Sequence, residues 1–150
     1  MKVKEDIIKN GFSVGQVLEL RETITPRKIK MFAHATGDKN PIHLSETFAN
    51  TTLFKHRIAH GMLSASYISK LIGTELPGTI YMGQELHFRR PVYIGDVLNV
   101  TAKIIEYEND KDILTLETTV INQDNKIVID GKAVVLVRGV RHLLANMIRE

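Results

Sequence analysis

The sequence predicts an α+β fold in which an antiparallel sheet curls around one long buried helix. Two observations carry that prediction. Residues 60–73, "HGMLSASYISKLIG", set Met62, Leu63, Ala65, Ile68, Leu71 and Ile72 around most of a helical circumference, with Lys70 the only charge. A helix that apolar is normally buried on most sides. The C-terminal half, in turn, reads as successive strands of alternating hydrophobicity joined by short polar turns, an antiparallel meander with one oily face. Helix and sheet complete each other.

The elements follow in chain order. "GQVLELRETI" (15–24) is a short strand led by Val17 and Leu18. "TPRKIKMFAHATG" is a helix: Thr25 can cap its start, Pro26 suits its first turn, and Gly37 can close it. Ile29, Phe32 and Ala33 give it a buried stripe. "SETFANTT" (45–52) forms one or two helical turns capped by Ser45. After the central helix, "TIYMGQELHFRRP" turns Ile80, Met82, Leu86 and Phe88 to the oily face, against Tyr81, Glu85, His87 and Arg89, until Pro91 stops it. "DVLNVTAKIIEYE" sets Leu98, Val100, Ala102 and Ile104 inward, and "ILTLETTVI" does the same with Leu114, Leu116 and Val120. In "KIVIDGKAVVLV", Gly131 marks a bulge. The tail "RHLLANMIRE" adds a short helix.

Composition narrows the function classes. The chain's 150 residues suit a single domain, 1–150. Having no cysteine, it uses neither disulfides nor thiolate chemistry, which suits a reducing cytoplasm. "MKVKEDIIKN" breaks its only apolar stretch with charges, so it is a poor signal peptide, and no run reaches the ~18 apolar residues of a membrane span. The net charge of +3 is scattered, its longest basic cluster being "RKIK". Nucleic-acid binders gather charge on one face, often with stacking aromatics, so neither nucleic acid nor membrane is the expected partner. A mild positive field does suit a small polyphosphate ligand.

Two short stretches carry chemistry. "GDKNPIH" (37–43) holds Asp38 and His43 on one irregular stretch, where Asn40-Pro41 imposes extended or turn geometry. A tight turn can bring that carboxylate and imidazole to one pocket wall, where they could share a water. The plainer alternative makes Asp38 a turn cap and His43 a structural histidine. "HGM" (60–62) opens the apolar helix, whose first-turn N–H groups have no internal partner. Gly61 lets a substrate oxygen approach its N–H closely, as in an oxyanion hole, or simply begins the helix while His60 packs beside it. Together the two stretches suit addition of water to a carbonyl-conjugated double bond.

"FAHATGDKNPIHLS" followed by "HGMLSASYISKLIG" resembles the MaoC-like (R)-specific enoyl-CoA hydratases, or hydratase 2 family, whose motif is G-D-x-N-P-aliphatic-H and then H-G-M. The likeness continues through "PGTIYMGQELHFRRPVYIGD" (77–96) and covers about residues 14–138, leaving short terminal extensions. It implies a hot-dog fold, a homodimer joined edge to edge, and an enoyl-CoA substrate, or its acyl carrier protein counterpart, handled without a cofactor. It also implies that Asp38 and His43 are the catalytic pair, that the Gly61 N–H binds the thioester oxygen, and that Asn40 shapes the loop. Ser69 would be the pocket serine of the central helix, and with Ile72 could set acyl depth. A thioesterase on the same fold and a non-catalytic acyl-CoA-binding protein are the alternatives. His56 and His60 have the i,i+4 spacing of a zinc pair but no third ligand nearby, so no metal is expected. His34, His87 and His142 read as incidental.

Overall fold

The computed structural model describes residues 2–149. The chain runs α1 (Lys2–Asn10), β1 (Val17–Thr23), α2 (Pro26–Thr36), α3 (Pro41–Leu44), α4 (Glu46–Asn50), α5 (Gly61–Glu75), β2 (Ile80–Phe88), β3 (Val97–Glu108), β4 (Ile113–Ile121), β5 (Ile127–Leu136) and α6 (Val140–Ile148). The strands form one sheet in the order β1-β3-β4-β5-β2, with antiparallel neighbours throughout. Helix α5 packs on β1, β3 and β4, the arrangement expected from the sequence.

Period-two alternation builds the inner face. Leu98, Val100, Ala102 and Ile104 of β3 and Leu114, Leu116 and Val120 of β4 are all buried, and they meet Ile68, Leu71 and Ile72 of α5 in one hydrophobic cluster. Each large side chain so buried contributes roughly 1.5–3 kcal/mol relative to exposure. Thr118 takes the inward place between Leu116 and Val120. Its hydroxyl accepts from Gln84 Nε2 at 2.9 Å, which offsets the cost of burying it. The expected helix signals operate: Thr25 Oγ1 accepts from the Lys28 N–H, Ser45 Oγ from that of Phe48, and Gly37 closes α2 with φ +77°.

Three expectations need correction. Strand β2 turns only part of its apolar set inward: Leu86 packs on the core and the Phe88 ring reaches Gly61, whereas Ile80 and Met82 are 59% and 58% exposed. It is an edge strand, paired only to β5, and its register slips between Tyr81 and Gly83, so the alternation loses phase. Met62 does not join the buried set of α5: it is 56% exposed and lines an open face with Ser66, Ser69 and Gly73. Gly131 sits in regular register opposite Leu86 and Thr118 instead of in a bulge. The glycine is there for close approach, since a Cβ would lie 1.8 Å from the Glu85 carbonyl oxygen. The Asn40-Pro41 stretch has the expected geometry: Asn40 lies outside the helical region and Pro41 opens the single turn α3.

The N-terminal segment, outside the stretch that carries the family resemblance, is helical. Its Ile7 joins the core cluster together with Leu144 of α6, and Arg141 Nη2 donates to the Ile8 carbonyl at 2.8 Å. Among the described residues no helix is long and apolar enough to cross a membrane.

Candidate active site

The end of α2 sets the first half of the site. After Gly37 the backbone N–H of Asp38 donates to Thr36 Oγ1, whose hydroxyl donates to the Phe32 carbonyl. Asp38 Oδ1 then accepts from the Asn40 N–H at 3.1 Å, and Asn40 Oδ1 caps α3 by accepting from the Ile42 N–H. Asn40 therefore shapes the loop through both its backbone and its side chain. The single turn of α3 carries His43 inward, leaving it 8% exposed.

His43 has a defined tautomer. Its Nδ1 lies 2.7 Å from the Ile58 carbonyl oxygen, which can only accept, so Nδ1 carries the proton and Nε2 the lone pair. Burial is the main influence holding this imidazole below its ordinary 6.5, and His60 acts in the same direction. The Ile58 carbonyl and the Asp38 carboxylate pull the other way without reversing the shift. His43 is thus set as a neutral base.

One ligand atom from each of Asp38, His43 and His60 lies within 4.8 Å of the others. Two hydrogen bonds of ~2.8 Å end to end reach about 5.6 Å, so one water can touch both Asp38 and His43. The sequence-predicted pair is brought together.

His60 is the residue that sequence reasoning missed. It is 2% exposed and its ring centroid stands 3.9 Å from that of His43, at 32°. Phe32 covers it at 4.9 Å, and its Nε2 donates to the Asp38 carbonyl oxygen at 3.1 Å. The signal available was its place directly before Gly61, read as loop packing or half of a zinc pair. That zinc pair does not form: His56 is exposed and bonds Glu46 Oε1 at 2.7 Å, outside any helix. The rings of His43 and His60 stack at a tilt, and one nitrogen of each donates to a backbone carbonyl.

Gly61 is the first residue of α5. Thr25 and Ser45 cap α2 and α4 with their side chains, whereas the N-cap residue of α5, His60, makes no such bond. Leu63 donates to the His60 carbonyl at 3.1 Å, which leaves the Gly61 and Met62 N–H groups at the tip without a backbone acceptor. Gly61 lines a cavity of about 350 Å³ with Phe54, Ile58, Ser64, Phe88 and Val92. A Cβ at Gly61 would sit 2.8 Å from the Phe88 ring. The buried Ser64 hydroxyl has no protein partner and adds a polar point to that wall. Asp38 and His43 do not line this cavity; His60, the immediate neighbour of Gly61, joins the two parts. Ser69 lies on the open face of α5 away from the cavity, while Ile72 is in the core, so the structure separates these two residues.

A second hollow, about 630 Å³, is lined by Arg27, Lys30, His34, Lys39, Leu44 and Arg57, among others. It begins beside the Asp38 loop and follows α2 toward Arg27. At ~1.5 Å per residue its far end is roughly 15 Å from that loop.

The chain matches the MaoC like domain over residues 10–126. It is 45% identical over 138 residues to an (R)-specific enoyl-CoA hydratase of Rhodospirillum rubrum, covering 89% of this chain and 95% of that protein. It is similar in structure to the unliganded R-hydratase PhaJ1 of Pseudomonas aeruginosa, with a TM-score of 0.81 and 45% identity over 85% of this chain and 83% of that one. It is likewise similar to the R-hydratase of Aeromonas caviae involved in PHA biosynthesis, with a TM-score of 0.82 and 38% identity over 85% and 98%. The family match runs from β1 through β4 and includes the loop, the helix tip and the histidine between them, so the chain belongs to the MaoC-like domain family and has its hot-dog fold.

Proposed function

We propose that this chain is an (R)-specific enoyl-CoA hydratase, adding water reversibly to a trans-2-enoyl thioester to give the (R)-3-hydroxyacyl thioester. The observation that carries the reading is the corner where Asp38 and His43 stand within reach of one water, beside an uncapped helix tip, in a chain of this family. The Gly61 N–H would receive the thioester oxygen and draw electrons from the double bond, making C3 electrophilic. The water held by Asp38 and His43 would give its hydroxyl to C3 while a proton reaches C2 on the same face. The two side chains act as one acid–base unit.

CoA is the carrier we favour over acyl carrier protein. The hollow along α2 is concave, and Arg27, Lys30 and Lys39 make no ion pair among the described residues. Such a site suits phosphates at the end of an extended arm. We assign a homodimer, because the β2 edge and the open face of α5 both expose apolar or small residues that a second copy would cover. Ser69 would meet the acyl chain only in that covered state. The whole chain, 1–150, would work as one unit in the cytoplasm.

The test is hydration of short and medium trans-2-enoyl-CoAs, followed as loss of the enoyl absorbance, with the product offered to an (R)-specific dehydrogenase. Release of free CoA instead would indicate a thioesterase. Binding without turnover would indicate a non-catalytic acyl-CoA-binding protein. A truncated pantetheine thioester tests the carrier: if the basic hollow holds CoA, its KM exceeds that of the CoA thioester.

A further inference from the structure

We infer that His60 is a positioning residue: its Nε2–H fixes the Asp38 backbone while its ring face supports His43, holding the carboxylate and imidazole at working distance. The inference rests on the hydratase reading for its activity readout but on geometry for the rest. The Asp38 peptide is held on both sides, its N–H by Thr36 Oγ1 at 3.2 Å and its carbonyl by His60 Nε2 at 3.1 Å. Across the site, the His60 ring lies 3.9 Å from that of His43, whose far nitrogen is anchored on Ile58. One side chain therefore touches both members of the pair.

Simple space-filling does not explain a histidine here. Its Nδ1 is buried without a partner, a cost that Phe or Leu would avoid. Its residue is the N-cap of α5, yet the ring turns away from that helix to bond the Asp38 loop. Because His60 directly precedes Gly61, the same contact also ties the acid–base corner to the amide at the helix tip. A displacement of about 1 Å in such a constellation can cost roughly 10²-fold in rate.

The functions of the ring can be separated by substitution. His60→Phe keeps an aromatic face and loses the donor; His60→Gln places an amide N–H near the Nε2 position and loses the ring. On a short enoyl-CoA, His60→Phe is expected to lower kcat by roughly 10–10²-fold with KM within about twofold, and His60→Gln to recover most of that loss. The titratable groups bearing on His43 are Asp38 and His60, the first raising and the second lowering its midpoint. NMR titration of the His43 ring should therefore show an upward move in both variants. If His60→Phe does not fold, His60→Asn, too short to reach the Asp38 carbonyl, replaces it in the comparison with Gln. Wild-type kcat and an unmoved His43 titration in the donor-less variant would overturn the inference. An inactive wild type would overturn the hydratase reading instead, while the His43 titration, made without substrate, still decides the role of His60.

Discussion

On the outer surface of β2 and β5, His87 lies 3.4 Å from Glu85 and 3.2 Å from Asp130. At the tip of α5, His43 and His60 meet Asp38 within 4.8 Å. The two clusters use the same residue types and differ in everything that gives those residues a task. Asp130 is held by a bidentate Arg89, at 3.0 and 3.1 Å, which keeps its carboxyl below the usual carboxylate range. The His87 side chain is 47% exposed and faces a carboxylate at each nitrogen, so no single tautomer is imposed. His43 is buried, its proton assigned by a backbone carbonyl and its free nitrogen left for chemistry. Desolvation and backbone anchoring, more than residue pairing, make an acid–base site.

The largest test of that contrast removes the pair. Asp38→Asn and His43→Gln are each expected to lower kcat by about 10²–10⁴-fold, measured as the rate of enoyl absorbance loss, with a thermal midpoint close to wild type. Near-normal turnover in both variants would dissolve the distinction between the clusters.

A smaller loss should follow from closing the helix tip. Gly61→Ala puts a methyl 2.8 Å from the Phe88 ring, which must turn and then crowds the N–H. We expect kcat/KM to fall about 10–10²-fold, and the added change Phe88→Leu to restore part of it. Unchanged kinetics in Gly61→Ala would remove the helix tip from the mechanism.

The inner cluster should also carry the pH dependence. With its midpoint held below 6.5, chiefly by burial, His43 stays neutral through neutrality and protonates only in more acidic solution. The acid limb of kcat/KM should accordingly fall below pH 6.5, about tenfold per unit beneath its midpoint. Stability has the same sign. The unfolded chain binds the proton more readily, so this contribution is complete above 6.5 and is lost as pH falls through the folded midpoint. A limb centred above 6.5 would contradict the burial of His43.

Much of this was legible in the sequence because local signals and tertiary packing agree. Thr25, Pro26, Gly37 and Ser45 act as their types suggest, and β3 as far as Ile104 and β4 throughout keep the alternation that their sequences show. The signals failed where a strand lacks a neighbour. The oily residues of β2 are real, but a register slip near the start of this edge strand leaves Ile80 and Met82 outward while Leu86 and Phe88 stay on the inner side. Asp38 and His43 could be paired from five-residue spacing, since one turn closes that distance. His60 could not, because its contact with Asp38 spans 22 residues and depends on how the start of α5 docks on the end of α2. The open face carrying Ser69 was hidden by composition: Ala and Ser look alike in a slim buried helix and on an uncovered one.

The smallest expected effect comes from the outer cluster and is the sharper control for that reason. His87→Gln removes an imidazole from two carboxylates yet leaves the Arg89–Asp130 fork in place, and solvent screens exposed pairs of this kind. Both kcat/KM and its acid limb should match wild type within about twofold. The comparison is demanding, since His87 lies on the same strand as Phe88, whose ring reaches Gly61. A change in KM alone would trace to movement of that ring along β2. A shift of the acid limb would mean that an exposed histidine, flanked by carboxylates but free of any backbone anchor, contributes the titration assigned to His43, and burial would no longer separate the two clusters.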